Sequence, residues 1–438
     1  MNDMTAPNSL EEFWMPFTAN KQFKEDPRLL VSAEGLYYRN HRGDDLLDSC
    51  SGLFCVALGH GRREIREAVA NQLATLDYSP PFQFANPGAF ELARRVAKLT
   101  PGDLNRVFFT GSGSEAIDTA MKIALMYHRC RGQSQRQRFV GRERAYHGVN
   151  FGGISVGGMV KNREAYGIGL PGCVHMRHTW LEENRLQPGQ GSHGAELADD
   201  LQRFVELYGA DTIAACFVEP IAGSTGILVP PKGYLERLRA ICDQHGILLV
   251  FDEVICGFGR TGEAFGAQSF GVTPDIMTMA KALTNGCIPM GAVAVREGIY
   301  DTVVGSGADS AIEFFHGYTY SAHPTATAAG IATLDIFERD GVFDHAAALA
   351  PYFLEQIFAL QDLGVVADIR GYGLLAGIDL KPTEKPGERG FAVLRGLYEA
   401  GMVTRVTADT LILSPPLVSE KRHIDEIADK TRSVLSGL

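Results

Sequence analysis

Five short apolar runs set the terms for any fold this chain can adopt: RVFFT at 106–110, IAACFVE at 213–219, ILLVFD at 247–252, DIMTMA at 275–280 and GAVAV at 291–295. Each is too short for a helix and too continuously apolar for a strand with one face in water, so each reads as a strand of a sheet buried on both faces. Amphipathic stretches separate them. In 233–245 (GYLERLRAICDQH), Leu235, Leu238, Ile241 and Cys242 recur at helical spacing with charges opposite. This alternation predicts a large doubly wound α/β domain with a mainly parallel central sheet, whose ligands gather beyond the carboxyl ends of the strands. The chain ends read differently. Beyond about residue 325, long helical patterns give way to DIRGYGLLAGIDL and DTLILSPPL, which look like antiparallel strands joined by turns. A smaller α+β domain built from 1–60 and 325–438 is expected around a large domain at 61–324, a division that 438 residues allow.

Composition narrows the function classes. With 41 Lys+Arg against 52 Asp+Glu the net charge is −11 and no basic block stands out, which argues against a nucleic-acid partner. No eighteen apolar residues run together, and the opening MNDMTAPNSLEEFW lacks a basic stretch followed by an apolar one, so neither a membrane span nor a secretory leader is expected and the reading is cytoplasmic. The eight cysteines (Cys50, Cys55, Cys130, Cys173, Cys216, Cys242, Cys256 and Cys287) form no C-x-x-C pair and read as buried free thiols. The twelve histidines make no H-x-x-x-H pattern, and no metal is expected.

Four features bear on chemistry. In FFTGSGSEAIDTAMKIAL, a strand ends in a glycine-rich turn that opens a helix carrying Ile117, Ala120, Met121, Ala124 and Leu125 on one face, with Ser112 and Glu115 spaced as a capping box. The small residues Gly111, Ser112, Gly113 and Ser114 would let a phosphate approach the free N–H groups of the helix start. An ordinary capped helix is the plain alternative. A dinucleotide fingerprint (Gly111-x-Gly113-x-x-Ala116) is another, although the acidic residue it needs some twenty positions on is replaced by the basic RQRFVGRERAYHG. Asp252 closes the apolar run LLVFD, where a carboxylate could pair a protonated ring nitrogen, hold a magnesium ion or cap a helix. Lys281 follows DIMTMA; a lysine at the end of a core strand either snorkels to water or acts as a desolvated nucleophile able to form a Schiff base. Tyr146 in RAYHGVN could lie flat on a planar ring with Val254 on its other face, or be a core tyrosine. Phosphate cup, aromatic, strand-end Asp and strand-end Lys follow one another on successive strands of one sheet, and together they fit pyridoxal 5′-phosphate (PLP) better than NAD.

The motifs SGLFCVALGHG, LDYSPPFQFANP, FFTGSGSEA, AYHGVN, FVEPIAGSTGILVPPKGYL, FDEVICGFGRTG, MAKALTNGCIPMGAVAV and FHGYTYSAHP resemble those of the class III (ω-) aminotransferases, and most of all the β-alanine:pyruvate transaminase type, over nearly the whole chain. The resemblance implies a PLP-dependent transferase of fold type I, a homodimer or dimer of dimers with its active sites at the subunit interface. It implies an amino group passed from a β-alanine-like ω-amino acid or a primary amine to a keto acid such as pyruvate, giving an aldehyde or ketone and alanine. Carried onto this sequence, Lys281 is the Schiff-base lysine and Asp252 the partner of the pyridine nitrogen. Ser112, Gly113 and Ser114 belong to the phosphate cup, Tyr146 stacks on the ring with His147 beside it, Val254 packs the far face, and Glu219 lies near the cofactor's hydroxyl. Thr319, with Tyr318 beside it, reaches the phosphate of the neighbouring subunit's cofactor. Arg405, in MVTRVTAD, matches an arginine that clasps a substrate carboxylate. Two departures bear on substrate: Ile255 stands where many class III enzymes have Gln, and Phe54 where many ω-transaminases have Trp, which implies a roomier wall. Decarboxylation or racemisation would use the same cofactor contacts and stays open, as does the weaker NAD-dependent dehydrogenase reading.

Overall fold

The computed structural model describes residues 7, 9–167 and 169–438. Half of the opening segment read for a leader, residues 1–6 and 8, lies outside them. Seven strands form the central sheet: β1 (Arg106–Thr110), β2 (Arg138–Arg142), β3 (Cys173–Met176), β4 (Ile213–Val218), β5 (Leu248–Asp252), β6 (Ile276–Met279) and β7 (Gly291–Val295). Their order across the sheet is β1-β7-β6-β5-β4-β2-β3. The five apolar runs of the sequence are β1, β4, β5, β6 and β7. The last four are buried along their whole length, whereas β1, at the sheet's edge, is half-buried over its first three residues.

All neighbours from β6 to β3 pair in parallel, and β7 alone runs against them, antiparallel to both β6 and β1. β1 therefore points the same way as β6, and the carboxyl ends of six strands open onto one edge. The strands bearing the four chemical features are successive along the chain but not across the sheet: β7 and β6 separate β1 from β5, and β4 separates β2 from β5. The helix α1 (Gly113–Cys130) leaves β1 and buries Ile117, Ala120, Met121 and Ala124 against the sheet. The helix α2 (Tyr234–His245) buries Leu235, Leu238, Ile241 and Cys242, as their spacing predicts, and stops at Gly246, whose φ of +62° suits a glycine.

Two smaller four-stranded sheets flank this unit. One pairs Leu30–Glu34, Tyr37–Asn40 and Asp45–Asp48 in sequence and then accepts Met402–Val403 in parallel beside Asp45–Asp48, joining the two ends of the chain. The other is antiparallel, in the order Val366–Tyr372, Leu375–Leu380, Thr410–Leu413, Arg405–Thr407. It is bound to the rest of the molecule by Arg370, which is buried. Its guanidinium pairs with Asp368 at 2.6 Å and Asp379 at 2.7 Å and donates through Nε to the Gly226 carbonyl at 2.7 Å. Asp368 also accepts from Trp180 Nε1 and Leu186 N–H. Arg370→Met would leave Asp368 and Asp379 without their counter-charge, so it is expected to cost about 3–5 kcal/mol, read as a lower midpoint of thermal unfolding. A midpoint equal to wild type would show the network to be dispensable.

The cysteines depart in part from the sequence reading. All eight are free, but only Cys50, Cys216, Cys242 and Cys256 are buried, and Cys287 is exposed because it follows the Asn285–Gly286 turn out of the core. Among the described residues, no helix is long and apolar enough to cross a membrane, and no three His, Cys, Asp or Glu side chains are grouped as metal ligands would be.

Candidate active site

A cavity of about 190 Å³ opens at the carboxyl edge of the sheet, lined by Gly113, Ser114, Tyr146, His147, Gly148, Glu219, Asp252, Val254, Ile255, Ala280 and Lys281. Five strand ends supply these residues: Gly113 and Ser114 follow β1, Tyr146 to Gly148 follow β2, Glu219 follows β4, Asp252 ends β5 and Lys281 follows β6. A wider groove of about 470 Å³ lies against Phe108, Ile123, Tyr300 and Phe314, but its lining is mostly apolar, with Asn105, Arg106 and Glu313 its charged or amide residues, and it holds no buried acid or lysine.

The cup after β1 is built by a helix cap. Ser112 Oγ accepts the Glu115 N–H at 3.2 Å, which starts α1. The second half of the expected capping box is displaced by one residue: Glu115 Oε2 accepts from Gly111 N–H at 2.6 Å instead of from Ser112. Ser112 is thus occupied with the cap and does not line the cavity. The N–H groups of Gly113 and Ser114 have no acceptor among the described residues, and both residues line the cavity at the positive end of the helix dipole. Gly113 must be small: a Cβ there would stand 3.1 Å from a Val254 methyl. Gly148 must be small too, since a Cβ would come within 2.4 Å of Ser114 Oγ, and its φ of +89° is one only glycine adopts freely. Sequence reasoning missed Gly148, although a glycine directly after Tyr146-His147 was the available signal.

Asp252 is buried and over-determined. Its Oδ1 accepts from Val254 N–H at 3.1 Å and Thr278 Oγ at 3.3 Å, and its Oδ2 faces His147 Nδ1 at 2.8 Å. His147 is itself buried, and its Nε2 has no partner among the described residues. The adjacent Glu253 turns away, accepting the Gly266 and Ala267 N–H groups in the core, and burial pushes its carboxyl up to about 7. Glu219 stays at the cavity wall, its two oxygens taking the N–H groups of Tyr146 (3.0 Å) and Gly223 (3.1 Å). Burial raises its carboxyl to about 6, against the pull of His147 and with the push of Asp252.

Lys281 stands at φ +50°, a left-handed conformation for a residue with a side chain, and such strain is kept where surroundings enforce it. Part of its surface opens to the cavity, yet its ammonium is withdrawn from water, which lowers its pKa; Cys55 and Asp252 oppose that shift and Arg405 reinforces it. The Phe54 ring, on a buried residue also at positive φ, lies with its centroid 5.6 Å from Lys281 Nζ. Arg405 begins the strand Arg405–Thr407 beside Ile412 and does not line the cavity, but its charge opposes the upward shift that burial imposes on the Tyr146 phenol, and its Nε is buried without a partner among the described residues. Tyr318 and Thr319 are not brought to this cavity. Tyr318 donates to the Glu115 carbonyl on α1, while the Thr319 carbonyl accepts from Tyr78 on the exposed surface.

This geometry fits PLP. It offers a carboxylate held for a ring nitrogen, an amine of lowered pKa, an aromatic and a valine for the two faces of a ring, and free helix N–H groups for a phosphate. It does not fit the dinucleotide alternative, because β2 ends in the buried Arg142, which donates to the Glu219 carbonyl where an acidic residue would be required.

Comparison with known proteins agrees. The family described as "Aminotransferase class-III" matches residues 19–435. An ω-aminotransferase of Caulobacter vibrioides is 54% identical over 430 residues, covering 98% of each chain. A β-alanine–pyruvate aminotransferase of Pseudomonas aeruginosa is 48% identical over 439 residues, covering 98% of this chain and 96% of its own. The crystal structure of an amine transaminase from an uncultivated Pseudomonas species, in its PLP-bound form, superposes with a TM-score of 0.91 at 33% identity over 98% of this chain and 100% of that one.

Proposed function

Because the chain belongs to the class III aminotransferases, enzymes of PLP fold type I, we propose that it passes the amino group of a β-alanine-like ω-amino acid or a primary amine to pyruvate, with Lys281 as the reactive amine. The observation that carries this reading is the convergence of Lys281, Asp252, Tyr146 and the Gly113–Ser114 cup on one small cavity. PLP, when bound, supplies an aldehyde that links amines and a ring that takes up the electron pair left at the donor carbon.

The chain's own residues do the rest. Gly113 and Ser114 hold the phosphate on the N-terminus of α1. Asp252, fixed by Val254, Thr278 and His147, faces the ring nitrogen, and His147 acts through it as a positioning residue. Tyr146 and Val254 would confine the ring between them, and Glu219, held by two backbone N–H groups, would serve its hydroxyl. Lys281 would hold the cofactor through its amine. Once freed, its amine takes the proton from the donor carbon and delivers it one position along; lowered basicity keeps enough of it neutral for that task. The keto acid then reverses the sequence. Ile255 and the nearby Phe54 form the apolar wall on the donor's side, and Arg405, whose Nε has no partner among the described residues, clasps a donor or acceptor carboxylate.

The exposed aromatics Tyr78, Phe82, Phe84, Phe315 and Tyr320 support a homodimer in which Thr319, exposed and remote from its own cavity, serves the site of the partner.

A panel of amine donors against pyruvate, read as alanine formed, tests the reading; no alanine from any ω-amine or ω-amino acid would end it. Within the panel, Arg405→Ala is expected to raise KM for β-alanine on the order of tenfold to a hundredfold, the loss of one charge-assisted contact, and to leave a carboxylate-free amine little changed. Equal effects on both donors would remove Arg405 from carboxylate binding.

A further inference from the structure

The turn that carries Lys281 is fastened to a distant stretch of chain by one side chain. The 3₁₀ turn Lys281–Thr284 closes on Asn285, which sits at φ +50°. The Asn285 amide reaches out of the turn: its Oδ1 accepts the Leu58 N–H at 2.8 Å and its Nδ2 donates to the Gly59 carbonyl at 3.0 Å, both bonds buried. Donor and acceptor ends are both used, as in a peptide pairing, which an ionised carboxylate, having no donor, could not reproduce.

Leu58 and Gly59 end an arch, residues 51–60, that spans the lysine. Its other foot is fixed by Asp48, which accepts the N–H groups of Cys50 (3.1 Å) and Gly52 (2.7 Å), and by Arg260, which donates to Ser51 Oγ at 3.0 Å; Asp48 also meets His60 Nε2 at 2.9 Å and so ties the two feet together. The crown of the arch bears Phe54 and Cys55. Turn and arch are in direct contact there, since a Cβ on Gly286 would lie 2.9 Å from Cys55 Cβ.

We infer that Asn285 is a positioning residue for the reaction proposed above: it locks the Lys281 turn to the arch, so that Phe54 and Cys55 stay over Lys281 Nζ when the amine is free. The inference rests on Lys281 being the reactive amine. A lysine that alternates between two bonding partners has a long, flexible stem, and the arch limits where its amine can go while shielding it from water; the Phe54 ring offers it an electron-rich face. Without the Asn285 amide, two buried backbone groups lose their partners, and the Lys281 turn is free to shift against an arch that Asp48, Arg260 and the Gly35–His60 backbone pair still hold.

The test uses Asn285→Gly, which accepts the positive φ and removes only the amide. With the best donor of the panel, kcat of the holoenzyme is expected to fall about tenfold with KM little changed, since a misplacement near 1 Å is enough for that. Alkylation of Cys55 by iodoacetamide, followed by peptide mass, is expected to speed up. In a Phe54→Ala background the fall in kcat should shrink, because the placement of the ring is no longer at stake. A kcat within about twofold of wild type, an unchanged rate at Cys55, or an equal fall in both backgrounds would overturn the inference. Should Asn285→Gly fail to fold, Asn285→Asp, which keeps the acceptor for Leu58, is judged by the same criteria. A Lys281→Ala protein that still turned over would remove the underlying reading and leave these outcomes for Asn285 separately legible.

Discussion

Lys281→Ala is expected to lower transamination by on the order of 10⁴ or more, because on the proposed mechanism one substitution removes both the amine that would bond the cofactor and the group that would move the proton. The protein should still fold. Alanine adds no bulk, and the turn around it keeps the Asn285 amide bonds to Leu58 and Gly59. Two readouts separate loss of chemistry from loss of structure. The purified variant should lack the visible absorbance of a covalently held cofactor, and borohydride reduction, which fixes the cofactor to the wild-type peptide containing Lys281, should leave the variant's peptide unlabelled. An added primary amine of small size should restore part of the activity, since the cavity vacated by the side chain can admit it. Full turnover in the variant would show that another amine does the work; among the residues lining the cavity, Lys281 is the only lysine.

Asp252→Asn is expected to reduce kcat on the order of 10³-fold while leaving the fold and much of the cofactor affinity in place. The amide has the same shape and can still accept from Val254 N–H and Thr278 Oγ, so what changes is the charge opposite the ring nitrogen. Without that charge, the residue facing a bound cofactor's ring nitrogen would no longer favour its protonated, electron-accepting form. Removing His147 instead, which touches Asp252 at 2.8 Å and has no other partner among the described residues, should give a smaller loss in the same direction. A fall in kcat below about tenfold for Asp252→Asn would take the carboxylate out of this role, whatever its effect on stability.

How far the site could be read from sequence differs from residue to residue. The runs that became β4, β5, β6 and β7 were legible because a strand covered on both faces must be apolar at every position, which is a local signature. Asp252 and Lys281 were legible because a charge directly after such a run has little choice but to stand at the sheet's edge. Half of the Ser112–Glu115 cap followed the expected pattern. The other half went to Gly111, since which of two neighbouring N–H groups lies nearer a carboxylate is decided by the path of the turn and not by residue type. Cys287 was read as buried from its cysteine character, yet its exposure follows from the left-handed Asn285 and Gly286 just before it, conformations that a sequence only permits.

The sequence by itself determined the chemical inventory: a helix start able to take an anion, a carboxylate and a lysine at strand ends, an aromatic beside them, and through its motifs the family to which these belong. These features are local, written in periodicity and in a few residues on either side. Only the tertiary structure decided how they meet. It placed β7 between β1 and β6, so that features successive in the chain converge across the sheet and not along it. It turned Glu219 into the cavity and Glu253 into the core, and it kept Tyr318 and Thr319 away from the cavity of their own chain. It also folded the 51–60 arch onto Lys281 through a pair of hydrogen bonds between residues 227 and 226 positions apart. Contacts at such separations carry no local signal, because they form only when the whole sheet has buried its faces and the remaining polar groups must find partners inside the folded chain.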